Sequence, residues 1–583
     1  MASHLLWGSD IEFTYGPLGF LSIPTPYLGF TSSLALAFSA AVYVAAAATV
    51  LFYASRLLPG WVAALVTIGI VRLFSDLAPL EMIQVIAFVW FVEVCLRPGI
   101  GRWVLAAIAM GVLVGVLALA KLNVGLVVGS MAFVIAARVT APWWRGIVVF
   151  ALAAPATILA LWVLSGQRVG DLPQFASASA DILRGYSESM GIELFPQPAL
   201  LYGLLIVSAC VLAAGAYLSW KNLARTQRLV LYLLTALFAF GVWKGSFVRS
   251  DAHVAGAFVA AAVVALPLSA SNRLAGLRLP MVGATLISAV LITGITPVSY
   301  LDVGGSAASI AGSVADSYVP GRQEAAASAV RNELRDKYRL EPQILASISG
   351  QTTHIDPQEA GIAFAYPEVR WSPLPTIQSY LAYTSSLDEA NAERLRGPNA
   401  PERILRQRYF AEDGELASID HRNPWFESPA AALEMLCRYD EVASSTRWQV
   451  LGRSGRACGA PELLGSQVAK AGDTVAAPLE SRPDRFVTVR ISGIFPGVAD
   501  QLLSALWRGR EWYIAVDSVR YRLVAPVAGD GLIMAVPASI TTSPTFAFGG
   551  PVRSVSVESG PSPFGPAATI TYDFYSVPWN DAP

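Results

Sequence analysis

WVLAAIAMGVLVGVLALAKLNVGLVVGSMAFVIAA, the stretch from Trp103 to Ala137, carries one charged residue, Lys121, in 35 positions. A bilayer-spanning helix takes about 20 apolar residues. The run is too long for one span, and it breaks at Ala120-Lys121-Leu-Asn123-Val-Gly125. It therefore reads as two spans joined by a polar tip, Trp103–Ala120 and Val124–Ala137. Working outward, the same criterion predicts Ser32–Tyr53, Trp61–Phe74, Met82–Leu96, Gly146–Leu164, Ala199–Trp220, Leu229–Val242, Val254–Ser269 and Met281–Val298. That makes about ten spans, all within residues 1–300. Beyond about residue 302 the composition is that of a soluble chain. Over all 583 residues, 54% are hydrophobic and 14% charged, and mean hydropathy is +0.51. Soluble proteins carry about 25% charged residues, so a wholly soluble, fibrous or disordered chain is excluded. The net charge of −1 supplies no basic field for nucleic acid. The lipid bilayer is the expected partner, and nucleic acid is not.

Basic residues mark the cytoplasmic loops of membrane proteins. Taken alternately, one set of loops holds Arg56, then Arg97 and Arg102, Arg138 and Arg145, Lys221 with Arg225 and Arg228, and Arg273 with Arg278, without an acidic residue. The other set is mixed or acidic. It comprises the N-terminal segment, Asp76–Glu81, Lys121–Asn123, residues 165–198, Lys244–His253 and everything after Tyr300. The expectation is a multi-pass protein of a bacterial cytoplasmic membrane with its C-terminal domain extracytoplasmic. Met1–Phe30 has no long apolar run and no signal-peptide layout. An outward N-terminus without a preceding helix is unusual, so a further span is expected upstream of Met1.

Four motifs fall on the expected outer face. Trp7-Gly-Ser-Asp10-Ile-Glu12-Phe-Thr-Tyr15-Gly-Pro17-Leu sets two carboxylates in an aromatic, Gly/Pro-rich loop. A carboxylate held where water is scarce serves as a general base, and an Asp before a helix also serves as a plain cap. Lys121 with Asn123 is either a snorkelling cation or a cation and amide turned to an anionic substrate. Lys244-Gly-Ser-Phe-Val-Arg249-Ser-Asp251-Ala-His253 crowds two cations, a carboxylate and a histidine at a membrane boundary, where charges are costly and often functional. Lys and Arg suit phosphate, although a solvated loop has the same composition. Gly166–Pro196, with Asp171, Asp181, Arg184, Tyr186 and Glu188, is long enough for an interfacial helix. No Cys or His spacing suggests zinc, and no glycine motif suggests a nucleotide. No metal and no cofactor is expected.

Asp10-Ile-Glu-Phe-Thr-Tyr15-Gly-Pro17-Leu resembles the first outer loop of GT-C-fold glycosyltransferases that use polyprenyl-phosphate sugars. In related polyprenyl mannosyltransferases an acidic residue precedes an aromatic-Thr-Tyr-Pro-Pro-Leu stretch. Ala120–Gly125 is similar to a Lys-bearing segment of those membrane domains. Gly16 replaces the first of the two prolines, and the span that precedes this loop in the family is absent from Met1 onward. The resemblance implies a GT-C-like membrane domain, a polyprenyl-phosphate sugar donor, and a base at Asp10, with Glu12 on a variable position. Val369-Arg-Trp371-Ser-Pro373-Leu-Pro375-Thr-Ile-Gln378-Ser-Tyr380-Leu-Ala-Tyr383 resembles a motif found beside such membrane domains in bacterial proteins. That likeness names no function.

The remaining chain reads as an extracytoplasmic α+β region, residues 301–464, followed by a β-sandwich or jelly roll, residues 465–583. Helices are predicted at Arg322–Tyr338, Leu387–Arg396 and Ser428–Tyr439. Strands are predicted at Gly361–Tyr366, Arg403–Gln407 and Arg447–Leu451. Later strands are Phe486–Ile491, Glu511–Asp517, Tyr521–Pro526, Leu532–Val536, Val552–Val557 and Thr569–Tyr575. Trp371, Trp507 and Trp512 are either sugar-stacking surfaces or core residues. Cys437 and Cys458 are expected to form a disulfide closing a loop of about 20 residues, worth roughly 3 kcal/mol in the chain-entropy model. Cys95 and Cys210 lie in spans and are expected as thiols.

Together these readings predict an inverting glycosyltransferase. It moves a sugar from a polyprenyl-phosphate donor to a cell-envelope glycan or lipid acceptor. Asp10 and Glu12 are its catalytic carboxylates. Tyr15, Lys121, Asn123, Lys244, Arg249, Asp251, His253, Trp371, Gln378 and Tyr380 are its candidate substrate contacts. The alternative is a non-enzymatic polysaccharide export or assembly protein with a sugar-binding outer domain, in which Asp10 is only a cap. A lipid-linked transporter finds less support, because no pair of Gly/Pro-broken spans marks a midplane site.

Overall fold

Among its described residues, the N-terminal half of the computed structural model holds eleven α-helices: α1 (Phe30–Ala54), α2 (Gly60–Phe74), α3 (Pro79–Leu96), α4 (Trp103–Ala120), α5 (Leu122–Ala136), α6 (Trp144–Leu164), α7 (Leu172–Met190), α8 (Pro198–Trp220), α9 (Arg225–Phe247), α10 (Val254–Ser271) and α11 (Ala275–Ile295). The structure describes residues 5–22, 29–74, 79–96, 102–140, 142–271, 275–295, 312–319, 321–409, 417–494, 498–517, 519–535, 552–560 and 569–580. Asp76, Arg97, Arg273, residues 296–298 of the last expected span and Val536 lie outside the described residues. Among the described residues, seven helices are long and apolar enough to cross a membrane, namely α1, α3, α4, α6, α8, α9 and α11; α2, α5 and α10 are shorter apolar helices. The predicted spans coincide with these ten to within a few residues.

The chain divides into two compact units. A helical unit comprises Tyr15–Val169 and Ile192–Ser328; a mixed unit comprises Met1–Thr14, Gly170–Gly191 and Ala329–Pro583. The division is thus not a single cut near residue 300. Two short segments from the apolar half, one of them carrying α7, fold with the C-terminal region.

Within the helical unit α3 is central, with 61% of its span buried, whereas α6 has 17%. α3 packs against α1, α5, α9 and α10, and Phe88 stacks on Phe238 of α9 with ring centroids 4.2 Å apart. The tightest helix pair is α4 with α6. Gly111 and Gly115 form a small-residue stripe, and a Cβ on either would meet Ala153 or Thr157 at under 3 Å. Van der Waals contact between closely approaching backbones is what holds such pairs in lipid. Some hydroxyls inside the helices are satisfied locally: Thr49, Thr67 and Thr293 each donate to the carbonyl four residues back at 2.7 Å.

The mixed unit continues with helices α12 (Arg322–Tyr338) and α13 (Pro342–Ile348) and a five-stranded sheet. Its strands are β3 (Thr352–Asp356), β4 (Arg370–Trp371), β5 (Arg403–Gln407), β6 (Tyr439–Ser444) and β7 (Trp448–Arg453), numbered after a two-residue pair, β1 (Ile192–Glu193) and β2 (Arg249–Ser250), in the helical unit. Sheet order is β4-β3-β5-β7-β6. β3 runs parallel to β4 and β5. Parallel neighbours need a crossover, and α14 (Ser385–Arg396) lies within the one between β3 and β5. Thr384 caps α14 by accepting from Leu387 N–H, Asp388 sits in its first turn and Arg394 and Arg396 in its last, as the helix dipole favours. The run Gly361–Tyr366, expected as a strand, holds a helical turn at Ile362–Ala365. A short apolar run has no period that separates the two states.

Beyond α15 (Pro429–Arg438) and β8 (Ala457–Cys458), two antiparallel sheets follow. One has the order β10-β15-β12-β13; the other has β14-β11-β16-β8, with β9 also on β16. Their ranges are β9 Glu462–Ala469, β10 Thr474–Ala476, β11 Arg485–Ser492, β12 Trp512–Val516, β13 Val519–Leu523, β14 Leu532–Ala535, β15 Ser554–Ser559 and β16 Ile570–Asn580. Val489, Ile514, Val557 and Phe574 from the two sheets enter one core with Phe426 and Met435. Cys437 and Cys458 are bonded, with Cα atoms 5.2 Å apart, tying the end of α15 to β8. Cys95 and Cys210 are thiols.

Two buried arginines hold α7 in this unit. Arg422 donates to Ser189 O at 2.6 Å, and Arg522 donates to Ser189 O at 2.8 Å and Gly191 O at 2.7 Å. Asp420 accepts from Arg522 at 2.9 Å. The carbonyls that end a helix have no intrahelical donor; here guanidinium groups from residues 233 and more positions away supply one.

Candidate functional site

The acidic loop is a closed turn in the mixed unit. Asp10 N–H and Ile11 N–H donate to Leu6 O at 2.8 and 3.1 Å, and Gly8 N–H donates to Ile11 O at 2.9 Å. Gly8 sits at φ +93°, and a Cβ there would lie 2.6 Å from Phe175 N, so only glycine fits against the start of α7. Trp7 packs edge-on against Phe175.

The two carboxylates have different fates. Asp10 accepts Leu6 N–H at 3.0 Å on one oxygen and Arg394 at 2.8 Å on the other. Both oxygens are committed to holding the turn. Glu12 is fixed through its backbone: its N–H donates to Pro375 O at 2.7 Å, and it forms a parallel bridge with Thr376. Its Oε2 is buried and has no hydrogen-bond partner among the described residues. Burial first, and the negative charge of Asp181 second, push the Glu12 carboxyl up to about 7. A carboxyl in that range is matched to proton transfer at neutral pH.

The structure thereby joins two motifs that lie some 360 residues apart, the Asp10–Pro17 loop and Val369–Tyr383. α14 joins them through two side chains, Arg394, which reaches Asp10, and Asn391, whose Oδ1 accepts Thr376 N–H at 2.8 Å; a third, Ser386, donates to Asp181 of α7 at 2.9 Å. Gln378 accepts the Tyr380 hydroxyl at 2.7 Å. Tyr380 also packs with Phe13, Ile182, Tyr186 and Tyr383. Sequence reading missed Asn391 and Arg394. Their spacing of three on a predicted helix, which puts both on one side, was the available signal.

The helical unit holds two further groups. Gly16 N–H and Leu18 N–H donate to Ala120 O at 3.2 Å and Leu119 O at 3.0 Å, covering the end of α4. Lys121 takes an extended conformation between α4 and α5. Its ammonium contacts Glu81 at 2.7 Å and lies 5.2 Å from the Tyr15 ring centre. Asn123 accepts the N–H of Val124, a local bond at the start of α5. The second group surrounds Asp251, which accepts Arg249 at 2.5 Å and the His253 N–H at 3.0 Å, with the His253 ring on the same carboxylate. Burial alone would raise the Asp251 carboxyl, but the hydrogen bonds and charge from His253, with Arg249, hold it at about 2. Arg249 and Ser250 pair with Ile192 and Glu193. Lys244 lies in the last turn of α9.

Trp371 is half-buried against the core of the five-stranded sheet, and Trp512 is buried at 4% exposure, which makes Trp512 a core residue. Among the described residues, no group of three or more His, Cys, Asp or Glu is placed to hold a metal. Compared with family models, curated proteins and solved structures, the chain gives no match.

Proposed function

We propose that the chain is an inverting glycosyltransferase of the outer face of a bacterial cytoplasmic membrane, moving a sugar from a polyprenyl-phosphate donor to a cell-envelope glycan or lipid. The observation that supports it is Glu12, a partly buried carboxyl with one uncommitted oxygen and a proton affinity near neutrality, on a backbone pinned to Pro375 and Thr376. In this scheme Glu12, rather than Asp10, takes the proton of the acceptor hydroxyl. The acceptor oxygen bonds to the anomeric carbon while the bond to phosphate breaks, and polyprenyl phosphate leaves with the electron pair. A single displacement inverts the anomeric centre. Asp10 and Arg394 hold the loop that presents the base. Lys121, Lys244 and Arg249 are assigned to donor phosphate binding, a role for cations wherever charge develops on a leaving group. Gln378, Tyr380 and Trp371 are assigned to acceptor hydroxyls and ring faces.

The test is transfer of labelled sugar from a polyprenyl phosphate by the full chain in detergent or nanodiscs. Glu12→Gln is expected to lose about 10²–10⁴-fold in rate, the usual contribution of a general base, while keeping its thermal stability. A variant with near-wild-type transfer removes Glu12 from the chemistry. The non-enzymatic assembly reading is favoured by one observation, the commitment of both Asp10 oxygens to structure. It predicts glycan binding with no transfer from any polyprenyl-phosphate sugar.

A further inference from the structure

The mixed unit contains a helix with an exposed apolar stripe. In α16 (Val498–Leu506) the apolar residues Val498, Leu502 and Leu506 are 75%, 59% and 63% exposed, while Ser504 is 6% exposed. A helix on a water-facing domain turns its leucines inward. Here residues four apart, which lie along one side, form an apolar stripe pointing away from the unit's core. Trp507, of a residue type enriched at bilayer interfaces, follows directly.

What covers the stripe follows from where α16 is attached. It packs against α7, and Gly509 N–H, just past its end, donates to Ser187 O of α7 at 2.9 Å. α7 is tied at both ends to helices long enough to cross a membrane. Residues 165–171 connect it to α6, and residues 191–197 connect it to α8. Seven residues reach at most about 25 Å, so the bilayer surface stays within that span of both ends of α7. Leu183 of α7 is itself 36% exposed.

We propose that α16 is an interfacial helix that lays Val498, Leu502 and Leu506 into the lipid headgroup–acyl boundary, anchoring the mixed unit to the bilayer. Such helices bury their apolar face about 5–10 Å into that boundary. The assignment stands on the exposed stripe and the covalent tether, and is independent of the catalytic reading.

The test uses the full chain in nanodiscs of phosphatidylethanolamine and phosphatidylglycerol, with Cys95 and Cys210 replaced by alanine and the disulfide kept. A nitroxide is placed at Leu502→Cys, with Val519→Cys on β13, 52% exposed, as the water-facing control. The ratio of collision with oxygen to collision with a nickel chelate is expected to be severalfold higher at 502 than at 519. A bimane at Leu506→Cys is expected to be quenched by lipids brominated on the acyl chain, and the quenching to be lost with Leu502→Asp. Equal ratios at 502 and 519 overturn the proposal. So does a short dipolar distance between nitroxides of two chains, which would put a second copy on the stripe. Should Leu502→Asp unfold the unit, the collision ratios with the otherwise native helix still decide.

Discussion

Glu12 and Asp10 stand two residues apart and carry opposite duties because one side chain is engaged and the other is not. That difference predicts a pH dependence. The Glu12 carboxyl titrates at about 7 when folded, against an ordinary 4.5. Its raised value means the folded state favours the protonated form. The contribution to stability is complete below pH 4.5 and is lost as pH rises to about 7. In its proposed role as a base, Glu12 would make activity run the other way, since a base must be ionised. Transfer should climb with pH and level off above about 7, and the pH–rate profile of kcat/KM measures this directly. Glu12→Gln should flatten the stability profile over the same interval in thermal melts. Asp251 gives the opposite sign: held at about 2 against 3.8, it contributes stability that is lost as pH falls through that window. Arg394→Ala should free Asp10 and loosen the loop by about 1 kcal/mol, the usual worth of a partly buried pair. Faster proteolytic cleavage within residues 5–14, with the rest of the chain intact, is the expected readout.

At the scale of elements, the membrane half was legible because a span needs only a long apolar run, and the ten runs became ten helices with ends shifted by a few residues. The break at Lys121 was legible for the same reason. Strand β11 was also readable, as a bounded run of Val, Ile and Phe. What stayed hidden is long-range. Nothing local in Leu172–Met190 announces that Arg422 and Arg522 will end it, and nothing in Asp10–Glu12 names Pro375 or Arg394 as partners. Contacts between distant segments leave no period in either. Short apolar runs also misled, as Gly361–Tyr366 did. The Cys437–Cys458 bridge was accessible to reasoning because two lone cysteines shared one region. Replacing both with serine should cost roughly 3 kcal/mol, the chain-entropy value for a loop of this size. Reductant should lower the melting temperature of the wild type and leave that of the double variant unchanged.

For the whole molecule, the mixed unit imposes a topological rule. Residues 1–14, 170–191 and 329–583 fold together, and segments that fold together must share one side of a bilayer. Six described apolar helices, α1 to α6, separate the first two segments, and four, α8 to α11, separate the second from the third. Both numbers are even, as a shared side requires. Parity also constrains the short helices. With α8, α9 and α11 crossing, α10 must cross too, although it is a shorter apolar helix than those three; α2 and α5 must both cross or both not. Single cysteines in a background lacking Cys95 and Cys210 test this in intact cells. Ser9→Cys, Gly170→Cys and Val442→Cys, all at exposed positions, should react alike with a membrane-impermeant maleimide. Asn222→Cys, exposed in the connection between α8 and α9, should react only after permeabilisation in the proposed orientation, which assigns the basic loop of Lys221, Arg225 and Arg228 to the cytoplasm. Labelling of Ser9 and Val442 from opposite sides would break the parity argument and the shared unit with it. Ser9, Gly170 and Val442 reacting only after permeabilisation, with Asn222 reacting in intact cells, would keep the fold and reverse the orientation, and a polyprenyl-phosphate sugar presented outside the cell could then not be the substrate.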